Sequence, residues 1–347
     1  MDGRKNVTLS DLAAELGVST VTVSKAMAGQ KGVSEELRIK IQSLAKERGY
    51  EKNEKKAEKN RPYTIGVIVA ERYLEESQSF YWKLYQYLTQ QAMQQKKCLT
   101  VFEVIDAGME KNLELPHLAA EKRADGLIVM GAFRREYAAF TAEHAELPLL
   151  FLDARPVGAV QDAVVSDNVN GGSAVTDYLL RLGHSKIAFV GTLLATNSID
   201  ERYLGYLKSL MEHGIVQRAD WVIEDRGRED GRMDPEQYFR LPQEMPTAFF
   251  CNCDLTAGIL IHKLTGLGIR VPEDVSVAGF DHYQSKSWST SGLATYEIDM
   301  KEMAVRAVHI MIHKIENTGY TSGIFMLGGS LVEGSSVRKI GAAVPYV

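Results

Sequence analysis

The chain has 347 residues, 45% of them hydrophobic and 24% charged, with 9 Pro and 29 Gly. That composition excludes a disordered or collagen-like protein and is more than one compact core usually holds. The net charge of -5 divides unevenly, since residues 1–62 carry 13 Lys and Arg against 9 Asp and Glu while the remainder carries 27 against 36. A basic start on an acidic body predicts that the first part meets a polyanion and the second does not. Three cysteines build no disulfide framework in so long a chain, so a reducing compartment is expected. Cys251 and Cys253, with distant Cys98, have no zinc-ligand spacing, and no metal or cofactor is expected. The first residues contain no apolar leader and no segment reaches eighteen uninterrupted apolar residues, which predicts a cytoplasmic protein with no membrane partner.

Residues 9–28 read LSDLAAELGVSTVTVSKAMA. Ala13, Gly17 and Val23 occupy the small, turn and apolar positions of a helix-turn-helix: Ala13 lets two helices cross closely, Gly17 takes the turn, and Val23 packs the second helix on the first. Ser10 is expected to cap the first helix and Ser19 the second. A third helix over about residues 34–48 starts at Ser34-Glu35-Glu36-Leu37 and stops at Gly49. The second helix would expose Thr20, Val21, Thr22, Ser24 and Lys25. These short polar, methyl-bearing and basic groups suit a DNA groove, where an inert surface helix would carry Glu and Lys.

The pattern T-L-x-D-L-A-x-x-x-G-V-S-x-x-T-V-S-K at residues 8–25 and G-V-S-E-E-L-R at 32–38 resembles the LacI/GalR family of bacterial transcriptional regulators. The resemblance implies that Thr20, Val21 and Lys25 read bases, with Thr8, Ser10, Thr22, Ser24, Ser34 and Arg38 positioned along the phosphates. Lys25 stands where Arg is usual, keeping the charge without the planar fork. Residues 50–62 form a charged linker, where the family has a hinge helix that wedges a Leu into the minor groove. Asn53 and Ala57 match that hinge and Asn53 is counted with the DNA-binding residues, but Lys52 replaces the usual Pro and Lys59 occupies the wedge position. Weaker DNA bending is therefore expected, with the linker lysines gripping phosphate.

From residue 63 onward, apolar runs of strand length (64–70, 99–104, 126–130, 149–153, 186–191, 221–224, 248–252 and 275–281) alternate with amphipathic helical stretches. This is the signature of βαβ units and parallel sheets. The register resets at Val164-Val165-Ser166-Asp167-Asn168, so the expected fold class is α/β, with a small all-α helix-turn-helix head followed by two tandem doubly wound parallel-sheet lobes. The first lobe is expected to hold 63–163 plus 293–318 and the second 164–292 plus 319–347. The segments S-D-N-x-x-G-G, L-G-H-S-K-I-A-F-V-G, E-R-Y-x-G-Y, P-T-A-F-F-C-N-C-D and G-I-R-V-P-E-D-V-S-V-A-G-F-D also resemble the same family and the type I periplasmic sugar-binding proteins.

A cleft at the carboxyl ends of parallel strands is where such folds bind small ligands. Asp153, Asp254 and Asp281 each follow a strand, and with Arg202 they supply the acceptors and donors that a polyhydroxyl ligand needs. Tyr73, Phe80 and Trp288 are the aromatics available to stack on a sugar face. Asp167 and Asn168 are expected to hold the helix start rather than touch ligand, and Cys253 stands where relatives often carry Asn or Ser. The charged loop 70–77 leaves an acidic sugar or a cationic end-group on the effector open.

No Gly-x-Gly-x-x-Gly follows a strand, no Walker-type Gly-Lys-Ser occurs and no Gly-x-Ser-x-Gly elbow supplies a nucleophile, so no catalytic residue is assigned and no enzyme is expected. The reading is a homodimeric repressor of carbohydrate-utilisation genes that binds double-stranded operator DNA and responds to a small carbohydrate-like effector between the lobes. The alternative is a sugar-binding or sensory module whose DNA-binding head does not function.

Overall fold

The computed structural model describes residues 7–27, 29–48, 50, 61–74, 79–95, 98–155, 162–283, 291–316 and 321–346. The chain divides into two compact units, Met1–Pro62 and Tyr63–Val347.

The first unit is three helices, α1 (Leu9–Leu16), α2 (Thr20–Met27) and α3 (Glu35–Glu47). Leu12, Ala13, Val23, Ala26, Ile41 and Ala45 make its buried centre, and Gly17 takes the left-handed backbone that ends α1 (φ 65°). The cap of α1 is Thr8 and not Ser10. Thr8 Oγ1 accepts from the Asp11 backbone N–H at 3.3 Å while Asp11 Oδ2 accepts from the Thr8 backbone N–H at 2.8 Å. That reciprocal pair satisfies two otherwise orphaned donors, which Ser10, already inside the first turn, cannot do. Ser19 caps α2 by accepting from Thr22 N–H at 3.1 Å, and Ser34 caps α3 by accepting from Leu37 N–H at 3.4 Å.

The second unit contains two parallel sheets. The first is built of β1 (Tyr63–Ala70), β2 (Cys98–Ile105), β3 (Gly126–Met130), β4 (Leu149–Leu152), β5 (Asp162–Ser166) and β11 (Ile324–Leu327), in the order β11-β5-β4-β3-β1-β2. The second is built of β6 (Ile187–Val190), β7 (Val222–Ile223), β8 (Ala248–Cys251) and β9 (Ser276–Ala278), in the order β7-β6-β8-β9. Their central strands are buried on both faces and therefore read as unbroken apolar runs. Helices α4 (Phe80–Gln94), α8 (Asn168–Arg181), α9 (Asn197–Glu212) and α12 (Met300–Glu316) contribute Leu88, Leu179, Tyr206 and Met311 to one apolar core that also takes Ile65 and Ile128 from the first sheet and Phe189 and Phe250 from the second.

Three segments depart from the sequence reading. The reset between lobes, read at 164–168, falls instead at the end of β5, and residues 162–166 form a fifth strand of the first sheet. Asp162 at its start is buried, paired with Lys314 of α12 and accepting from the Gly323 N–H at 2.7 Å, so this strand is pinned to elements far along the chain. The strand β10 (Thr295–Glu297), expected in the first lobe, pairs antiparallel with β12 (Ser330–Val332) and bridges the second sheet through Ala278–Ala294 and Asp281–Glu297. β11, expected in the second lobe, pairs parallel with β5 in the first. Both exchanges arise because the choice of strand partner leaves no mark on local periodicity, whether β10 pairs Thr295 with Val332 of β12 or β11 pairs Ile324 with Ala163 of β5. The chain thus passes between lobes after β5, after β10 and after β11.

The remaining helices are α5 (Ala107–Asn112), α6 (His117–Ala120), α7 (Arg135–His144), α10 (Pro235–Tyr238) and α11 (Asp254–Gly266). The connection from β7 to β8 carries only the four-residue α10 among its described residues, preceded by a small hairpin in which Arg226 bridges Met233.

Candidate nucleic-acid interface and ligand cavity

In the first unit, Thr20, Val21, Ser24 and Lys25 lie exposed on α2, spaced i, i+1, i+4 and i+5 and hence on one face. Val21 is 61% exposed, unusual for an apolar residue in so small a unit. The first turn of α2 carries no acidic residue, which leaves the positive end of the helix dipole open toward an anion. Thr22 is half-buried, its Oγ1 2.9 Å from Ser19 Oγ. Thr8, Ser10 and Ser34 are exposed, the first and last serving as caps. Arg38 donates to the Gln30 carbonyl at 2.9 Å, which ties α3 to the loop after α2. Asn53 and the linker lysines, and Trp288, lie outside the described residues.

In the second unit a cavity of about 310 Å³ lies between the lobes. Tyr73, Phe80, Asp153, Arg202 and Asp281 all line it, so five of the six expected ligand residues that lie among the described residues come together. Asp153 follows β4 and Asp281 follows β9, both with positive φ (60° and 89°), a strained backbone that turns each carboxylate out of its strand end. Tyr81 Oη donates to Asp153 Oδ2 at 3.0 Å, while Asp153 Oδ1 is buried with no hydrogen-bond partner among the described residues. Burial pushes Asp153 up to about 6 against the pull of Arg202. Asp281 rises to about 7 by burial, again opposed by Arg202. The two carboxylates are thus poised to accept protons or hydroxyl donors near neutral pH.

Arg202 is fixed from several sides. Its Nε donates to Asn168 Oδ1 at 2.9 Å, its Nη1 donates to the Asn252 carbonyl at 2.6 Å, and its guanidinium lies 4.0 Å from the centroid of the Phe280 ring. The backbones of α8 and α9 approach so closely that a Cβ on Gly172 would sit 2.3 Å from the Arg202 carbonyl oxygen, and one on Gly205 2.1 Å from that of Val169. Glycines in S-D-N-x-x-G-G and E-R-Y-x-G-Y therefore set the position of Arg202. Asp167 holds the start of α8, accepting from the Asn170 N–H at 3.2 Å, while the Asn168 side chain orients this arginine.

Asp254 does not line the cavity. As the first residue of α11 it is 1% exposed, accepts from Thr295 Oγ1 at 2.6 Å, and its backbone N–H donates to the Phe280 carbonyl at 2.8 Å. Burial, reinforced by nearby Asp281, pushes its carboxyl well above the usual range. It joins α11 to β10, which a strand-end pattern alone could not distinguish from a ligand contact.

The sequence reading missed Arg226. It lines the cavity and is buried against Asp225, with Nε to Oδ1 at 3.0 Å and Nη2 to Oδ2 at 2.7 Å. Asp225 also accepts from Asn252 Nδ2 at 2.6 Å and Thr256 Oγ1 at 2.7 Å. Burial would raise Asp225, but Arg226 and these donors hold it at about 2, so the pair is a fixed ionic support behind Asn252. The adjacent Asp-Arg at the end of a predicted strand was the available signal. Arg72, from the charged loop after β1, also lines the cavity, but both Glu110 oxygens and the Ala132 carbonyl already engage it. Cys253 lies at the cavity with its Sγ 3.2 Å from Thr256 Oγ1.

A helix-turn-helix unit on a chain whose larger unit holds a ligand-sized cavity between two parallel-sheet lobes defines a ligand-responsive DNA-binding regulator. Residues 8–53 match the model of the lacI family of bacterial regulatory proteins, and residues 176–337 that of a periplasmic binding protein-like domain. The chain thus matches bacterial regulatory proteins of the lacI family in its head and a ligand-binding domain in its second unit, and the relatives it matches are transcription regulators, not enzymes. It is 27% identical over 337 residues to the HTH-type transcriptional repressor PurR of Vibrio vulnificus strain CMCP6, covering 96% of this chain and 99% of the relative. It is 28% identical to the PurR of Vibrio atlanticus strain LGP32, with the same coverage. Among solved structures, the transcriptional regulator CelR–cellobiose complex has a TM-score of 0.66 at 22% identity, covering 95% of this chain and all of that one. The Lac repressor dimer bound to operator and the anti-inducer ONPF has a TM-score of 0.65 at 22% identity, covering 96% and 100%. Among the described residues no helix is long and apolar enough to cross a membrane.

Proposed function

We propose that the protein is a cytoplasmic homodimeric repressor of carbohydrate-utilisation genes, whose operator affinity changes when a small sugar-like effector binds between the lobes. The observation that carries the effector class is the pairing of Asp153 and Asp281 across one cavity with Arg202 fixed between Asn168 and Asn252. Carboxylates accept from adjacent hydroxyls and a guanidinium donates to ring or hydroxyl oxygens, while Tyr73 and Phe80 offer apolar faces to a sugar ring. The relatives named as repressors support the sense of regulation, and the cellobiose in one structural neighbour supports the ligand class.

Thr20, Val21 and Lys25 are the residues assigned to base edges, Thr8, Ser10, Thr22, Ser24, Ser34 and Arg38 those assigned to the backbone, and Asn53 of the linker is counted with the DNA-binding residues. One head contacts a half-site only, and non-specific affinities of roughly 10⁻⁴ to 10⁻⁶ M do not select a gene, so two heads on a near-palindrome are required. Because Asp153 comes from the first lobe and Arg202 and Asp281 from the second, a ligand touching all three favours one arrangement of the lobes. The coupling to DNA is typically about 1 to 3 kcal/mol and equal in both directions.

The test is operator selection by the full-length protein from random duplex DNA, repeated with mono- and oligosaccharides, purines and sugar phosphates. A palindromic site released by a sugar is the expected result. A site whose occupancy responds only to a purine or another non-sugar would overturn the effector class, and recovery of no site would overturn the repressor.

A further inference from the structure

A second cavity, of about 470 Å³, lies beside the first, and Arg72, Asp153, Thr196, Ser198 and Gly231 line both. We propose that this outer cavity binds a second ring of the same ligand, making the effector a neutral oligosaccharide of two or more units rather than a monosaccharide or a sugar phosphate. The proposal rests on the polyhydroxyl reading of the inner cavity and adds its length and charge.

Size is the first argument. Ligand sites span about 300 to 1,000 Å³, and the inner cavity alone stands at the bottom of that range, with room for one ring. The outer one exceeds it, and its walls come from both lobes: Asn197 at the start of α9 donates through Nδ2 to the Arg155 carbonyl after β4 at 2.6 Å.

Charge decides the ligand class. Five arginines and five carboxylates line the outer cavity, so its walls carry no net field that would gather an anion. Three of those arginines already face a carboxylate: Arg72 faces Glu110, Arg155 faces Glu201 at 3.2 Å and Arg228 faces Glu224 at 3.5 Å. A phosphate entering here would compete with each of these partners and meet the five lining carboxylates besides. A hydroxyl, being donor and acceptor at once, fits an alternation of fixed donors and acceptors without displacing any pair.

The hairpin joining Arg226 to Met233 gives the outer cavity its roof. Gly227 N–H donates to the Arg232 carbonyl at 2.9 Å, and a Cβ on Gly231 would stand 3.2 Å from the Arg72 side chain across the cleft. Gly231 and Arg72 therefore flank the boundary between the two cavities, and a linear ligand spans it where a compact one does not.

The experiment is native mass spectrometry of the full-length protein with partial hydrolysates of several polysaccharides, together with phosphorylated mono- and disaccharides. Adducts of two or more neutral sugar masses are expected. Asn197→Trp, which fills the outer cavity, should shift retained adducts to one sugar mass. Arg228→Ala, which truncates an exposed side chain and carries little folding risk, should weaken the longer adducts on the order of tenfold and spare the single-sugar one. Wild-type retention of single sugars only, preferential retention of phosphorylated sugars, or identical adduct lengths in wild type and both variants would each overturn the proposal while leaving the inner site standing. Retention of no saccharide would overturn the polyhydroxyl reading and this proposal together.

Discussion

The DNA-facing helix and the ligand cavity are built on opposite plans. The α2 face is contiguous in sequence: eight residues carry Thr20, Val21, Ser24 and Lys25 outward and bury Val23 and Ala26 inward. The cavity is assembled from residues between Arg72 and Tyr283, brought together by strand ends and by the close packing of α8 on α9. The first is a surface whose energetics depend on exposed side chains and a very small core. The second is a buried polar network in which each member fixes another. The difference teaches that substitutions in the head should act locally and on DNA alone, while those in the cavity should propagate through partners.

The largest effect expected is on the head's stability. Leu12 is fully buried in a centre of few apolar residues, and Leu12→Ala should cost about 2 to 5 kcal/mol, enough to unfold a unit of this size. All three tryptophans, Trp82, Trp221 and Trp288, lie after residue 62, so tryptophan fluorescence reports the second unit only. Its thermal transition should stay in place while operator binding is lost, and a joint shift of both would show that the two units do not fold separately.

Next comes Arg202→Ala. Removing it leaves Asn168 Oδ1 and the Asn252 carbonyl without their donor and removes the charge that opposes the rise of Asp153 and Asp281. Loss of charge-assisted hydrogen bonds of about 1.5 to 3 kcal/mol predicts a drop in effector affinity of roughly 10- to 100-fold. Ligand-free operator affinity should be unchanged, and an equal loss on DNA would break the separation between the two plans.

Asp281 gives the cavity a pH signature that the head lacks. An unfolded Asp titrates near 4 and Asp281 in the fold at about 7, so the native state holds this proton more tightly. Stability of the second unit should therefore decline as pH rises from about 4 to 7 and level off above that. Asp281→Asn should flatten part of the decline, by about 2 kcal/mol, in urea titrations followed by tryptophan fluorescence at pH 5 and 8. An unchanged pH profile in the variant would mean that other groups, Asp153 first among them, carry the dependence.

The two plans also account for what was readable in the sequence. Each element of the head follows from side chains within a few residues, so helices, turn and exposed face were all visible. The strand ends Asp153 and Asp281 were visible because apolar runs stop there. Asp254 ends such a run as well, yet its carboxylate is taken by Thr295, a partner on a strand 41 residues away. Arg226 was missed because its function depends on Asp225, Asn252 and Thr256 meeting around it. The exchange of β10 and β11 between lobes escaped for a like reason: local periodicity does not record which strand a segment pairs with.

The smallest effect separates two hydroxyls two residues apart. Lys25→Ala should first weaken operator binding by about 1 to 3 kcal/mol without altering the head's fold, because its side chain is exposed on α2 and has no part in the buried centre. Thr8→Ala, by contrast, should cost the head about 1 kcal/mol of stability, since Thr8 Oγ1 and Asp11 Oδ2 satisfy one another's backbone donors. Ser10→Ala should leave stability nearly unchanged, its hydroxyl lying exposed within the first turn. If both positions also contact phosphate, the two variants should lose similar operator affinity once the Thr8→Ala value is corrected for the unfolded fraction measured by far-ultraviolet circular dichroism. A larger stability loss from Ser10→Ala than from Thr8→Ala would return the cap to Ser10 and remove the reciprocal pair as the reason α1 begins where it does.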